Sequence, residues 1–286
     1  MEKSKIKFAF CGFDFFDAAL LKLLHDGHKL CKIFSFETDG NYNSNETVKR
    51  IAEAHSVRFQ TDPIQESDVM ELKAMGCQLL IAAAYPFKIP TKPLEDMFAI
   101  NLHPSLLPEG RGPWPLPHTV LKRLPRSGIT IHKIAPKFDA GDILLQVGFP
   151  LSQAENLESL TCKAQMAAIP VLTECVEKLQ ELWANAHAQG KGSYWQMPTE
   201  AERSLNWESS VTAIDCVVRA FGRFESYANF DGKDWLVRDA TVWEEEHHFA
   251  AGAVVHRTHH EVVIAALDGF VCLRNYVPES KNEKAH

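Results

Sequence analysis

Apolar positions in the first half of the chain fall into short runs separated by amphipathic stretches. Residues 6–11 predict a strand closed by Gly12, residues 15–25 an amphipathic helix with Gly27 beyond its end, and residues 29–36 a second strand. A polar loop over 38–45 leads into a predicted helix over 46–55. Residues 78–84 are apolar throughout, as a strand buried on both faces requires, and 97–102 predict the next strand. Residues 129–134 alternate and read as a further one. This alternation of strands and helices predicts an α/β fold with a doubly wound, mostly parallel sheet.

The pattern then changes. Residues 154–188 predict one or two long helices, and Gln189-Gly190-Lys191-Gly192-Ser193 reads as a connector. A helix over 209–221 is predicted, opened by Ser209 and Ser210 as caps. From Glu225 onward the apolar runs are short and alternating, and Asp231-Gly232 and Asp268-Gly269 carry hairpin-turn signals. These features predict a small C-terminal β-barrel-like domain of OB type. The predicted organisation is an N-terminal catalytic domain over 1–188, a linker over 189–206 and a β-rich domain over 207–286.

Composition narrows the class. With 45% hydrophobic and 23% charged residues, the 286-residue chain has the balance of a soluble globular protein and ample length for a core. No apolar run reaches the roughly 18 residues of a membrane span. Met1 to Lys5 lead into an alternating strand and not into a signal-peptide apolar region, so a cytoplasmic protein is expected. A net charge of −7 argues against non-specific nucleic-acid binding, which needs clustered Lys and Arg. The seven cysteines are scattered without a C-x-x-C pair, which favours reduced thiols over disulfides or zinc. His247-His248 and His259-His260 lack the spacing and partners of a metal site, and no metal is expected.

The candidate chemistry lies at Asn101-Leu102-His103-Pro104-Ser105-Leu106-Leu107-Pro108 and at Phe138-Asp139-Ala140-Gly141-Asp142. Side chains i and i+2 of a strand share a face, so Asn101 and His103 leave the strand's carboxyl end together. Open α/β sheets bind ligands at that edge. Gly141 permits a tight turn after the 129–134 strand. If that turn meets the end of the first strand, Asn, His and Asp converge.

These residues, with Arg111-Gly112-Pro113, resemble the folate-dependent formyltransferases, a family that includes methionyl-tRNA formyltransferases, glycinamide ribonucleotide formyltransferases and amino-sugar N-formyltransferases. The resemblance covers most of the chain; Leu205-Asn206-Trp207, Val218-Arg219-Ala220 and the following β segment resemble the C-terminal domain of the tRNA and amino-sugar members. It implies Asn101, His103 and Asp139 as the catalytic trio and 10-formyltetrahydrofolate as formyl donor. It also implies Tyr85, Pro86, Phe87, Ile89 and Phe138 as donor-binding residues. Ser105 and Arg111 are candidates for substrate contact or loop support. Two departures from the family pattern stand out: Gly110 where an aromatic residue often precedes Arg-Gly, and Tyr85-Pro86 where Tyr-Gly is usual. Proline removes one backbone donor.

Formyl transfer is attack by a neutral amine on an activated formyl carbon. Asn101 and His103 supply donors suited to an oxyanion. Asp139 is expected to raise the pKa of His103, making it a charged donor, and to relay the amine's proton. For the acceptor, charge is the guide. The tRNA-specific members carry a basic insertion after the second strand, but residues 37–45 hold no Lys or Arg. From Arg203 onward, 9 Lys and Arg stand against 13 Asp and Glu, a net of −4. The expected acceptor is therefore a small amine, an amino sugar or an amino-acid-type compound, with methionyl-tRNA formyltransferase and 10-formyltetrahydrofolate hydrolase activities as alternatives.

Overall fold

A computed structural model describes residues 5–40 and 42–279. The N-terminal lead-in 1–4, Asn41 of the polar loop and the tail 280–286 of the predicted β-rich domain lie outside the described residues. The chain divides into two compact units: Met1–Pro115, Pro125–Leu151 and Thr161–Gln196 in the first, and Leu116–Leu124, Ser152–Leu160 and Met197–His286 in the second.

The first unit is built on β1 (Lys7–Gly12), α1 (Asp17–His25), β2 (Lys29–Phe34), α2 (Glu46–Ala54), β3 (Arg58–Gln60), α3 (Glu66–Ala74), β4 (Leu79–Ala83) and β5 (Phe98–His103). After α4 (Pro115–Leu121), which from Leu116 belongs to the second unit, the sheet is completed by β6 (Arg126–Lys133) and β7 (Ile143–Pro150). Helices α5 (Leu157–Glu177), with Pro170 inside it, and α6 (Leu179–Ala184) follow. The sheet order is β3-β2-β1-β4-β5-β6-β7, parallel from β3 to β5 and antiparallel across β5-β6-β7. The mostly parallel α/β sheet expected from the apolar periodicity is thus present. Its two faces are buried in separate clusters, with Phe8, Phe10, Ile81 and Ile100 on one and Ala9, Cys11, Leu80 and Ala99 on the other. That explains why these strands read as continuous apolar runs.

Two polar devices fix the helices at the sheet's ends. The Asp14 carboxylate accepts the N–H groups of Thr47 (3.1 Å) and Val48 (3.0 Å) at the start of α2, where a helix leaves donors unmatched. Lys32, buried on β2, donates to Asp68 (2.8 Å) and Glu71 (2.7 Å) of α3. A buried ammonium without such partners would be costly.

The second unit contains α7 (Glu200–Arg203), α8 (Val211–Phe221), β8 (Ser226–Phe230), β9 (Lys233–Glu244), β10 (Val254–Arg257), β11 (Val262–Ala265) and β12 (Gly269–Pro278). Ser210 caps α8 as predicted, its hydroxyl accepting the Ala213 N–H (3.2 Å). Its strands form an antiparallel sheet of order β10-β11-β12-β9-β8. Val211, Ile214 and Val218 of α8 pack with Val237, Val262, Ile264 and Val271 of the sheet. The β8-β9 hairpin turns at Asp231 and Gly232, with φ of 51° and 68°, the geometry the Asp-Gly signal selects. The barrel predicted for this region is observed as an open five-stranded sheet: among the described residues no pairing joins β10 to β8. All seven cysteines are free, and all but Cys162 are buried. Among the described residues no helix is long and apolar enough to cross a membrane, and no group of three His, Cys, Asp or Glu is placed to hold a metal ion.

Candidate active site

Asn101 and His103 close β5 and point to one face, as the strand period requires. β6 runs antiparallel to β5, with Asn101 opposite His132 and His103 opposite Thr130. The turn after β6 therefore leaves beside the middle of β5, where the Ile134 N–H bonds the Ala99 carbonyl (2.9 Å). It then doubles back. Asp139 adopts φ of 53°, in the left-handed region that a non-glycine residue occupies only when its surroundings impose it. Gly141 lets the turn close, since a Cβ there would lie 1.8 Å from the Lys133 carbonyl oxygen.

Four side chains meet as a result. The Asn101 amide nitrogen donates both hydrogens inward, to His132 Nε2 (3.0 Å) and to Asp139 Oδ1 (3.1 Å). His132 Nδ1–H donates to the Lys133 carbonyl (2.8 Å), which leaves Nε2 as the acceptor. His103 Nε2–H donates to the Gly110 carbonyl (2.8 Å), and its Nδ1 lies 3.4 Å from Asp139 Oδ1. Asp139 Oδ2 accepts the Gly112 N–H at 2.9 Å. His103, His132 and Asp139 are buried, while Asn101 is half-buried.

Electrostatics corrects one expectation. Burial pulls the His103 imidazole below its ordinary pKa; the Asp139 carboxylate and the Gly110 carbonyl pull upward and only partly offset it. His103 is therefore a neutral imidazole near pH 7 and not the charged donor expected from its neighbour. Its 3.4 Å spacing from Asp139 is longer than a charge-assisted hydrogen bond, which agrees. Burial pushes the Asp139 carboxyl up, but the His103 ring that faces it and the Gly112 N–H it accepts pull it down, and it is held at about 2.

The remaining candidates divide by exposure. Tyr85 is buried, and its hydroxyl accepts the Ile64 N–H (3.2 Å), so it supports its loop from beneath. Pro86 is exposed, Phe87 and Ile89 are half-buried, and the Phe138 ring is 42% exposed with Lys88 Nζ 5.9 Å from its centroid. Ser105 is buried and donates to the Glu109 carbonyl (2.8 Å), bracing the turn. The Arg111 guanidinium donates through Nε to Gln189 Oε1 (2.9 Å) and through Nη2 to the Gly190 carbonyl (3.1 Å).

Sequence reasoning passed over His132 and the segment 187–195. His132 could have been found from the alternation of β6, since Thr130 and His132 are its polar members on one face. The second segment, expected as part of a connector, is hydrogen-bonded into the first unit. Trp195 N–H bonds the Arg111 carbonyl (2.7 Å), and Arg111 N–H bonds the Ser193 carbonyl (3.2 Å). The Trp195 ring fills the space above Gly110, where a Cβ would meet it at 2.7 Å, so an aromatic ring stands over the position that departs from the family pattern. Gly112, at φ of 120°, would place a Cβ 2.1 Å from the Trp195 carbonyl oxygen. Gly112→Ala is expected to cost roughly 3 kcal/mol, through left-handed strain and a backbone clash. Thermal denaturation of the variant would show a clearly lower midpoint; an unchanged midpoint would contradict this packing.

Comparison with known proteins follows the same lines. The sequence model described as formyl transferase matches residues 27–176, and the model of the formyl transferase C-terminal domain matches 198–285. The methionyl-tRNA formyltransferase of Rickettsia massiliae is 25% identical over 284 residues, covering 96% of this chain and 93% of that protein. That of Rickettsia prowazekii is 24% identical over 285 residues, with the same coverage. Among solved structures, the fold is similar to HypX from Aquifex aeolicus in complex with tetrahydrofolic acid (TM-score 0.74, 19% identity), covering 97% of this chain and 45% of that longer one. It is also similar to the N-formyltransferase of Helicobacter canadensis in complex with folinic acid and dTDP-3-aminofucose (TM-score 0.69, 16% identity), covering 95% of this chain and 100% of that one.

Proposed function

This chain belongs to the formyl transferase family and is an enzyme of formyl transfer; from that premise we propose that it moves the formyl group of 10-formyltetrahydrofolate to the amine of a small molecule. The observation that carries the proposal is the convergence of Asn101, His103 and His132 on the ionised Asp139. The solved HypX and Helicobacter canadensis proteins, which hold tetrahydrofolic acid and folinic acid, favour a reduced folate as donor. The residues present fit such a molecule. Phe87, Ile89 and the exposed ring of Phe138 offer apolar faces to a flat heterocycle, Pro86 lies exposed beside them, and Tyr85 holds the loop from the core.

When bound, the donor supplies a formyl carbon: a carbon–nitrogen bond to the amine forms, the bond to folate N10 breaks, and one proton passes from amine to N10. His103 Nδ1, unprotonated at rest, takes the proton the amine loses and then gives it to the departing folate nitrogen. The imidazolium formed in between faces the Asp139 carboxylate, which stabilises it. Asn101 orients this pair by binding Asp139 and His132 together. To serve an oxyanion it must release one of those two bonds, which its half-buried position permits.

The acceptor is argued from charge. In the second unit four arginines are already matched to carboxylates: Arg219 with Asp215 (2.6 Å), Arg238 with Glu225 (2.5 Å), Arg257 with Asp231 (2.6 Å) and Arg274 with Glu261 (3.4 Å). Arg203 is turned onto the carbonyls of Phe224 and Glu225. Guanidinium groups spent in this way do not displace counterions from a phosphate backbone. The dTDP-3-aminofucose in the Helicobacter canadensis structure favours an amino sugar on a nucleotide. The similarity to Rickettsia methionyl-tRNA formyltransferases favours a second reading, initiator tRNA as acceptor.

Incubation with 10-formyltetrahydrofolate and separate pools of nucleotide amino sugars, amino acids and charged initiator tRNA decides between them. Folate release is expected only with a small amine, accompanied by a product heavier by one formyl group. Formylated tRNA would replace the small-amine reading. Release without any formylated product would make the enzyme a hydrolase.

A further inference from the structure

We infer that Gln189 is a positioning residue of the active site: its amide clamps the Asp139 turn to the Arg111 loop and so sets the Asp139 carboxylate against His103. The role rests on the formyl-transfer reading above and adds to it a residue that touches none of the reacting atoms.

Both amide hydrogens and the amide oxygen are engaged. Its nitrogen donates to the carbonyls of Asp139 (2.8 Å) and Gly141 (2.6 Å), and its oxygen accepts Arg111 Nε–H (2.9 Å). The first two bonds hold the turn in which Asp139 has a positive φ. The third holds the loop carrying Gly112, whose N–H binds the Asp139 carboxylate. Gln189 is thus bonded to both loops that build the Asp139 environment. Its own place is fixed on either side. His187 pairs with Ile143 of β7 through two backbone bonds (2.8 and 3.1 Å). Ser193 and Trp195 pair with Arg111, and Ser193 Oγ accepts the Gly110 N–H (3.0 Å). Without the amide nitrogen the carbonyls of Asp139 and Gly141 lose the donor that ties them to the Arg111 loop, and a misplacement of about 1 Å at a reacting group can cost about 10²-fold in rate.

Two substitutions separate clamping from filling space. Gln189→Met keeps the length without any hydrogen bond. Gln189→Glu keeps an oxygen for Arg111, now as an ion pair, but sets an anion against two carbonyls. Both variants are expected to lose about 10- to 100-fold in kcat, as outer-shell orienting residues do, with the KM for 10-formyltetrahydrofolate unchanged within about twofold. The second readout needs no donor. In nuclear magnetic resonance titrations of the protein alone, the His103 ring is expected to titrate at lower pH in both variants than in the wild type, because Asp139 no longer stands beside it. Gln189→Glu retaining wild-type kcat and His103 titration would overturn the inference. So would a lowered melting temperature with an unmoved His103 titration, which marks a brace and not a positioning residue. If the wild type releases no formyl group, the proposed reaction fails, while the titration still decides the role of Gln189.

Discussion

Asp139→Asn is expected to lower kcat by about 10³-fold, within the range that loss of a proton-transfer partner produces. The carboxylate accepts Gly112 N–H and Asn101 Nδ2–H, and it faces both imidazoles. An asparagine has one acceptor oxygen and so cannot take both bonds: its NH2 must point at Gly112 N–H or at Asn101. More consequential is the lost charge. His103, already held low by burial, keeps only the Gly110 carbonyl as an upward pull, so the imidazolium that forms during transfer is no longer stabilised. Stability gives an independent check, and its sign is fixed. Asp139 is held at about 2, below its unfolded value near 3.8, so it binds protons less readily when folded. It therefore stabilises the fold above the ordinary carboxylate range, by on the order of 2 kcal/mol, and loses that contribution as pH falls from about 4 toward 2. The stability gap between wild type and Asp139→Asn, measured by denaturant titration, should be widest above pH 5 and shrink over that window. A variant with wild-type kcat would remove Asp139 from the chemistry.

How far this site was legible follows from what period and composition encode. The apolar runs of β1, β4 and β5 are visible because burial on both faces leaves no polar interruption, and Asn101 and His103 stand out as polar exceptions at a strand's end. Strand direction is not encoded in that way. β6 alternates in either orientation, and only pairing shows that it runs antiparallel and sets His132 against Asn101. β3 has three residues, too few for a period. β7 carries Gln146 and Gly148, which break its apolar pattern, yet Gln146 Nε2 bonds Thr130 Oγ1 and the Leu107 carbonyl (2.8 Å each) and so is paired inside the unit. The segment around Gln189 is the clearest case. Gly190, Lys191, Gly192 and Ser193 have the composition of a flexible connector, but Gly192 is small because its Cβ would lie 2.0 Å from the Pro108 carbonyl oxygen. Close approach and flexibility favour the same residues, and sequence alone does not separate them.

His103→Ala is expected to lower kcat by about 10²- to 10⁴-fold, as removal of a positioned acid–base group does. The pH dependence of the unaltered enzyme tests the same residue more sharply, because the two possible roles predict opposite limbs. An imidazole acting as a proton acceptor must be neutral in the free enzyme. Burial already lowers its pKa, so kcat/KM should stay level as pH falls to 6.5 and decline only below that value. A charged donor would instead lose activity as pH rises through the histidine range. Stability carries the same sign: the folded His103 binds a proton less readily than the unfolded one. Its contribution is therefore complete above about 6.5 and is lost as pH falls toward the lowered folded value. Asp139→Asn, by removing the largest upward pull on His103, should move the acid limb to still lower pH. Activity that rises as pH falls from 7 to 6, or an acid limb in Asp139→Asn that moves upward, would show that His103 works as an imidazolium and that burial does not govern its charge.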